Sequence, residues 1–293
     1  MTAKTVETVL ETPRPHWVGD GFLVRPLFGP LAFTPAVSPF LMFDWAAPTH
    51  FPPSDERRGV GPHPHRGFET VTIVYDGAVD HRDSAGHTDS IAAGDVQWMT
   101  AGAGVVHEEF HGGTVGRDGG TVSMAQLWVN LPAAHKMTKP RYQAIPARDI
   151  PTVGLDGGRV RVIAGPWSGA EGVVEGPART HSPLAVWDVV LEGGARFVAA
   201  IPAGWTATVA VLDGAVDLGG HRLEGARVAV LGRAGDGIDL VAGASGAKLL
   251  VLSGEPIGEP IAAHGPFVMN TREEIRAAID DYNAGRMGTL AAR

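Results

Sequence analysis

Apolar residues in this chain come in short runs. VTIVYDG (from Val71), DSIAAGDVQWMT (from Asp89) and MAQLWVNL (from Met124) either alternate apolar with polar positions or are continuously apolar, with Gly, Asp and Ser clusters between them. The second half has the same texture in LAVWDVVLEGG (from Leu184), WTATVAVLDGAVDL (from Trp205) and AKLLVLSG (from Ala247). A period of two, or a short filled run bounded by turn residues, predicts strands of a sandwich or barrel. Only the C-terminal stretch NTREEIRAAIDDYNAG departs from this. Thr271 and Glu274 form a T-x-x-E capping box there, Ile275, Ala278, Ile279 and Tyr282 share one helical face, and Gly285 supplies a stop. The pattern predicts an amphipathic helix lying on a barrel as a structural cap.

The pentapeptide DGAVD occurs at Asp76–Asp80 and again at Asp213–Asp217, an offset of 137 residues. At the same offset Gly67 matches Gly204, Phe68 matches Trp205 and Val74 matches Val211, so the turn and the strand entry are echoed together. This predicts an all-β protein of two like β-barrel domains in tandem, residues 1–145 and 146–293, with a short C-terminal α-helix. The junction is expected near residues 140–155, where KPRYQAIPARDIPTVGLDGG is rich in Pro and Gly.

Composition narrows the function. A chain of 293 residues with 44% apolar content has core enough for one large or two ordinary domains, and 40 glycines and 22 prolines suit many tight turns. The absence of cysteine removes disulfides and thiolate chemistry. A net charge of -8 without a Lys/Arg cluster argues against direct nucleic-acid binding. The polar, acidic start MTAKTVETVLETPRP is unlike a secretory signal, and no apolar run reaches the ~18 residues of a membrane span. A cytoplasmic location is expected.

The chemistry is concentrated in two stretches. In PHPHRGFET, read as one extended strand, His63, His65 and Glu69 share a face. In GDVQWMTAGAGVVHEEFHGG, His107 and Glu109 share a face and Glu108 points away. Burying imidazoles and carboxylates without partners costs several kcal/mol, so a common ion is expected to satisfy them. Three histidines and a carboxylate suit Fe(II), Mn, Ni, Cu or Zn and leave positions open for exchange. Glu69 has three readings: a ligand, a group orienting a ligand, or a base. HEEFH, from His107 to His111, also fits the H-E-x-x-H pattern of zinc proteases, but that chemistry needs a helix, and the valines and flanking glycines oppose one. The remaining histidines, His81 and His87 among them, read as ordinary surface or hydrogen-bonded residues. At the 137-residue offset the five candidate positions become Ala200, Pro202, Thr206, Ala244 and Gly246, so one site per chain is expected.

HPHRGFETVTIVYDG, HTDSIAAGDVQWMTAGAGVVHEE, QLWVNLP and HGPFVMNTREEI together resemble the pirin family, two-domain members of the cupin superfamily. The resemblance implies two cupin-type (jelly-roll) barrels and the ligand set His63, His65, His107 and Glu109, with Glu69 nearby in reserve and iron as the usual metal. It further implies a quercetin 2,3-dioxygenase-type activity that opens flavonols with O2, with Glu109, and after it Glu69, as acceptor of the hydroxyl proton. Gln126, Trp128, Phe43 and Trp98 are candidate pocket walls, though each also reads as ordinary core. The same resemblance offers an alternative, an iron-containing, redox-sensitive regulatory protein that binds a partner enzyme or transcription factor. Isomerase or decarboxylase chemistry ranks below both, because Arg66 is the one basic residue near the motifs and it faces away from His65. By the same resemblance the chain is a monomer.

Overall fold

The computed structural model describes residues 1–29, 34–169 and 172–290, and the described chain is overwhelmingly antiparallel β. Two compact units emerge. One consists of Arg14–Pro26, Phe40–Ala147 and Gly258–Arg293, and the other of Met1–Pro13, Leu27–Pro39 and Arg148–Ile257. They do not follow a single division at residue 145. The strand Val6–Leu10 pairs with Arg227–Leu231, which places the N-terminus in the unit built mainly from the second half. The helix Arg272–Asn283 belongs instead to the unit built mainly from the first half. There Ile275 and Ala278 pack with Val106, Phe267 and Met287, and Asp281 pairs with buried Arg66 at 2.7 Å. The apolar stripe and capping box form as the sequence predicts, but the helix caps the first barrel and not the second. Among the described residues no helix is long and apolar enough to cross a membrane.

The first unit contains a seven-stranded sheet in the order Arg141–Ile145, Val96–Thr100, Phe68–Asp76, Gly120–Asn130, Phe40–Phe51, Phe22–Phe28 and His16–Val18. Facing it is a four-stranded sheet of Gly59–His65, Val105–His111, Ala78–Asp83 and Thr88–Ala92. Phe68–Asp76 lies in the middle of the larger sheet and is buried on both faces as far as Val74, which explains its run of Val, Ile and Thr. Phe22, Val24, Phe51, Val74, Val79 and Met124 fill part of the space between the sheets. HEEFH lies in a strand that continues to His111, so the helical geometry of a zinc protease is not formed. His111 is held apart from the other histidines, with Nε2 at 2.7 Å from the Gly21 carbonyl and its ring against Phe22 and Phe51.

The second unit is a nine-stranded sheet whose interior is apolar, with Trp187, Phe197, Val209, Leu249 and Val251 among its buried residues. The internal repeat survives as matching backbone. Gly67 and Gly204 have φ of 85° and 87°, and Gly77 and Gly214 have 80° and 74°, a region that favours glycine because it has no Cβ.

Candidate metal centre

Two neighbouring strands place the histidines. In the antiparallel ladder between Gly59–His65 and Val105–His111, His107 lies directly opposite His63, and His65 is two residues further along on the same face. The ring centroids are 4.2 Å apart for His63 and His107, 4.9 Å for His65 and His107, and 4.8 Å for His63 and His65. One nitrogen from each ring lies within 4.8 Å of the other two. A ladder irregularity follows His107, so that Glu109 stands opposite Val60, and its carboxylate joins His107 and His81 in a second group whose atoms are also within 4.8 Å of one another.

Hydrogen bonds determine which nitrogens are available. His63 Nδ1 is 2.9 Å from the Gly61 carbonyl, which can only accept, so Nδ1 carries the proton and Nε2 keeps a lone pair. His65 Nδ1 and His107 Nε2 are buried with no hydrogen-bond partner. Burial, followed by the neighbouring imidazoles, holds both His65 and His107 well below the usual histidine pKa, so both are neutral bases near pH 7. Buried lone pairs without donors are what a cation would satisfy, and an all-imidazole set suits Zn, Cu, Fe or Ni. The Glu109 Oε1 atom accepts from Thr72 Oγ1 at 3.3 Å and Gln97 Nε2 at 3.2 Å, contacts that orient the carboxylate from the facing sheet.

Glu69 is not in this group. The chain turns at Arg66–Gly67, so Glu69 lies on a different strand from His63 and His65, and shared parity along PHPHRGFE does not apply. On its own strand, Phe68 and Thr72 face the site, Phe68 against the His65 ring and Thr72 against Glu109. Glu69 alternates to the other face, where Thr100 Oγ1 donates to it at 2.6 Å. Burial pushes its carboxyl up to about 7 despite the Thr100 hydrogen bond.

Beside the histidines a cavity of about 410 Å3 is lined by Val24, Met42, Met124, Gln126 and Trp128, with His63, His65 and Glu109 in its wall. Its size and mainly apolar lining suit a small organic molecule. Gln126 and Trp128 therefore line it as expected, but Phe43 and Trp98 do not; both are fully buried elsewhere. Sequence reasoning missed Asp44, also in the wall, whose carboxyl burial raises to about 6. It also missed His81, 1% exposed, whose ring lies 5.4 Å from that of His107. The signal for His81 was its alternation with Asp83 on Ala78–Asp83, two polar positions both turned inward.

Comparison with known proteins agrees with this architecture. Residues 22–129 match the pirin family and residues 186–288 match the pirin C-terminal cupin domain. A Pseudomonas aeruginosa protein provisionally named quercetin 2,3-dioxygenase is 53% identical over 273 residues, covering 92% of this chain and 94% of that protein. Human pirin is 37% identical over 266 residues, covering 88% of this chain and 85% of its own length. A crystal structure of quercetin 2,3-dioxygenase from Acinetobacter baumannii superposes with a TM-score of 0.94 at 50% identity, covering 99% of this chain and 100% of that one. With two cupin units, a histidine cluster in the first, and matches of this extent, the chain belongs to the pirin family.

Proposed function

We propose that this protein is a metal-dependent dioxygenase that opens flavonols such as quercetin with O2, using one Fe(II) held by His63, His65, His107 and Glu109. The observation that carries this reading is the convergence of three imidazoles, two of them with buried unpartnered nitrogens, on the wall of an apolar cavity of substrate size. Relatives named for quercetin 2,3-dioxygenase support the substrate class. A bound Fe(II) supplies Lewis acidity toward an ionised hydroxyl and redox access to dioxygen.

The chain's own groups do the rest. Glu109, at the cavity wall with Oε1 oriented by Thr72 and Gln97, takes the flavonol 3-hydroxyl proton. Met42, Met124 and Trp128 enclose the planar ring system and exclude bulk water. Gln126 Oε1 stands 2.7 Å from the same Thr72 hydroxyl, a contact that holds its amide at the same wall. The chemistry would proceed in the cytoplasm on a small aromatic molecule.

The test combines metal content with turnover. Protein loaded anaerobically with Fe(II) should hold one equivalent and bleach quercetin absorbance when O2 is admitted. His63→Ala should lose both the iron and at least about 100-fold in rate. Full iron retention by His63→Ala would overturn the ligand assignment; a full equivalent of iron with no turnover would favour a regulatory role.

A further inference from the structure

We propose that His81, oriented by Asp83, is a positioning residue for His107: it accepts the His107 Nδ1 proton and so keeps the Nε2 lone pair turned into the histidine cluster. This inference rests on the reading of His107 as a metal ligand.

The argument is one of hydrogen-bond direction. His81 Nδ1 lies 3.5 Å from His107 Nδ1, and of two facing imidazole nitrogens one must carry the shared proton. His81 Nε2 lies 3.3 Å from Asp83 Oδ2. Asp83 Oδ1 already accepts two backbone N–H groups and Oδ2 lies 2.9 Å from His87 Nδ1, so toward His81 the carboxylate stands as an acceptor. The His81 proton therefore belongs on Nε2, its Nδ1 is bare, and His107 Nδ1 must donate. That leaves His107 Nε2 unprotonated, and this is the atom found buried without a partner. The opposite arrangement would bury a His107 Nε2–H with no acceptor, which the fold would have to bear uncompensated.

The arrangement is held on every side. Asp83 Oδ1 accepts the backbone N–H groups of Ala85 at 2.9 Å and His87 at 3.0 Å, and His87 Nδ1 approaches Oδ2 at 2.9 Å. The Tyr142 ring stacks on His81 at 4.8 Å and 24°. Its hydroxyl lies 3.2 Å from the Oε1 of Gln97, whose Nε2 donates to Glu109. A carboxylate–imidazole–imidazole series of this kind sets the ligand's tautomer and basicity, and loss of such support typically costs 10–100-fold in metal affinity.

Asp83→Asn is the sharpest variant. Its oxygen can keep the Ala85 and His87 contacts while its amide donates to His81 Nε2, which moves the His81 proton to Nδ1 and drives the His107 proton to Nε2. Nitrogen-15 NMR of metal-free protein should show His107 as the Nδ1–H tautomer in wild type and Nε2–H in Asp83→Asn. Anaerobic competition for Fe(II) against a chelator should show affinity about 10–100-fold weaker in Asp83→Asn and in His81→Leu, with one equivalent still bound at saturation. His81→Asn, which offers an amide oxygen near the position of Nδ1, should recover most of the affinity. It also decides the matter should Asp83→Asn fail to fold. Wild-type affinity in both His81→Leu and Asp83→Asn with an unchanged His107 tautomer would overturn the proposal; so would loss of iron stoichiometry in His81→Leu, which would make His81 a ligand. His63→Ala separates the two readings. If it binds Fe(II) like wild type, the metal centre itself fails; if it loses iron while Asp83→Asn and His81→Leu bind Fe(II) with wild-type affinity, only the positioning role fails.

Discussion

Glu69 carries a charge-dependent cost that the folded protein bears only at higher pH. Burial pushes its carboxyl from the ordinary 4.5 up to about 7, so between these values the folded chain binds a proton that the unfolded chain releases. Stability from this group is thus fully present below pH 4.5 and is lost as pH rises through 7. The span corresponds to about 3 kcal/mol as an order of magnitude. Glu69→Gln removes the titration, so urea denaturation at pH 5 and pH 8 should show the variant gaining on wild type by about that amount at the higher pH. Parallel behaviour at the two values would mean that Glu69 ionises normally. At this scale the sequence was legible where spacing along one strand sufficed: His63 with His65, and His107 with Glu109. His81 was marked only by its alternation with Asp83, which shows that both turn inward but not what the facing strand will bring to them. Its significance comes from the Val105–His111 ladder, in which Asp83 and His81 stand opposite His107 and Glu109.

Among the elements, the turn at Gly67 separates the strand that carries His63 and His65 from the strand that carries Glu69. Reading PHPHRGFET as one extended run was reasonable from parity, but parity holds only within an unbroken strand. The φ of 85° at Gly67 was also encoded in the residue type, and the same region recurs at Gly204, so the repeat was the better guide to where the chain bends. A Cβ at Gly67 would lie 2.0 Å from the Val268 carbonyl oxygen. Gly67→Ala should therefore destabilise by about 2 kcal/mol or more, through positive-φ strain and the forced displacement of Val268. Thermal denaturation should show a clear fall in Tm, whereas Gly219→Ala, also at positive φ but with nothing within 4 Å of the position its Cβ would take, should cost less. Equal losses at the two positions would assign the whole effect to backbone conformation.

For the whole molecule, composition and the repeat made the two-barrel architecture readable, but not the way the chain ends are shared out. Strand pairing and helix docking decide that, and both depend on partners more than 150 residues away, as Val6 with Leu231 and Arg66 with Asp281 show. An ion bound only by the folded first unit should raise its stability by about 2.7 kcal/mol at 100 times Kd. Hydrogen exchange with and without Fe(II) should show added protection on Gly59–His65 and Val105–His111, reversed by a chelator and absent in His63→Ala. Protection spread evenly over both units would argue against a local centre.

The Arg272–Asn283 helix has a consequence for how the protein is made. Its partners Arg66 and Val106 leave the ribosome long before the helix is synthesised, and Leu41 and Phe68 likewise precede Val268, so these residues of the barrel that carries the histidines stay uncovered until the segment from residue 258 follows. A nascent chain stalled after residue 257 should therefore be a client for chaperones even though most of both barrels has already emerged.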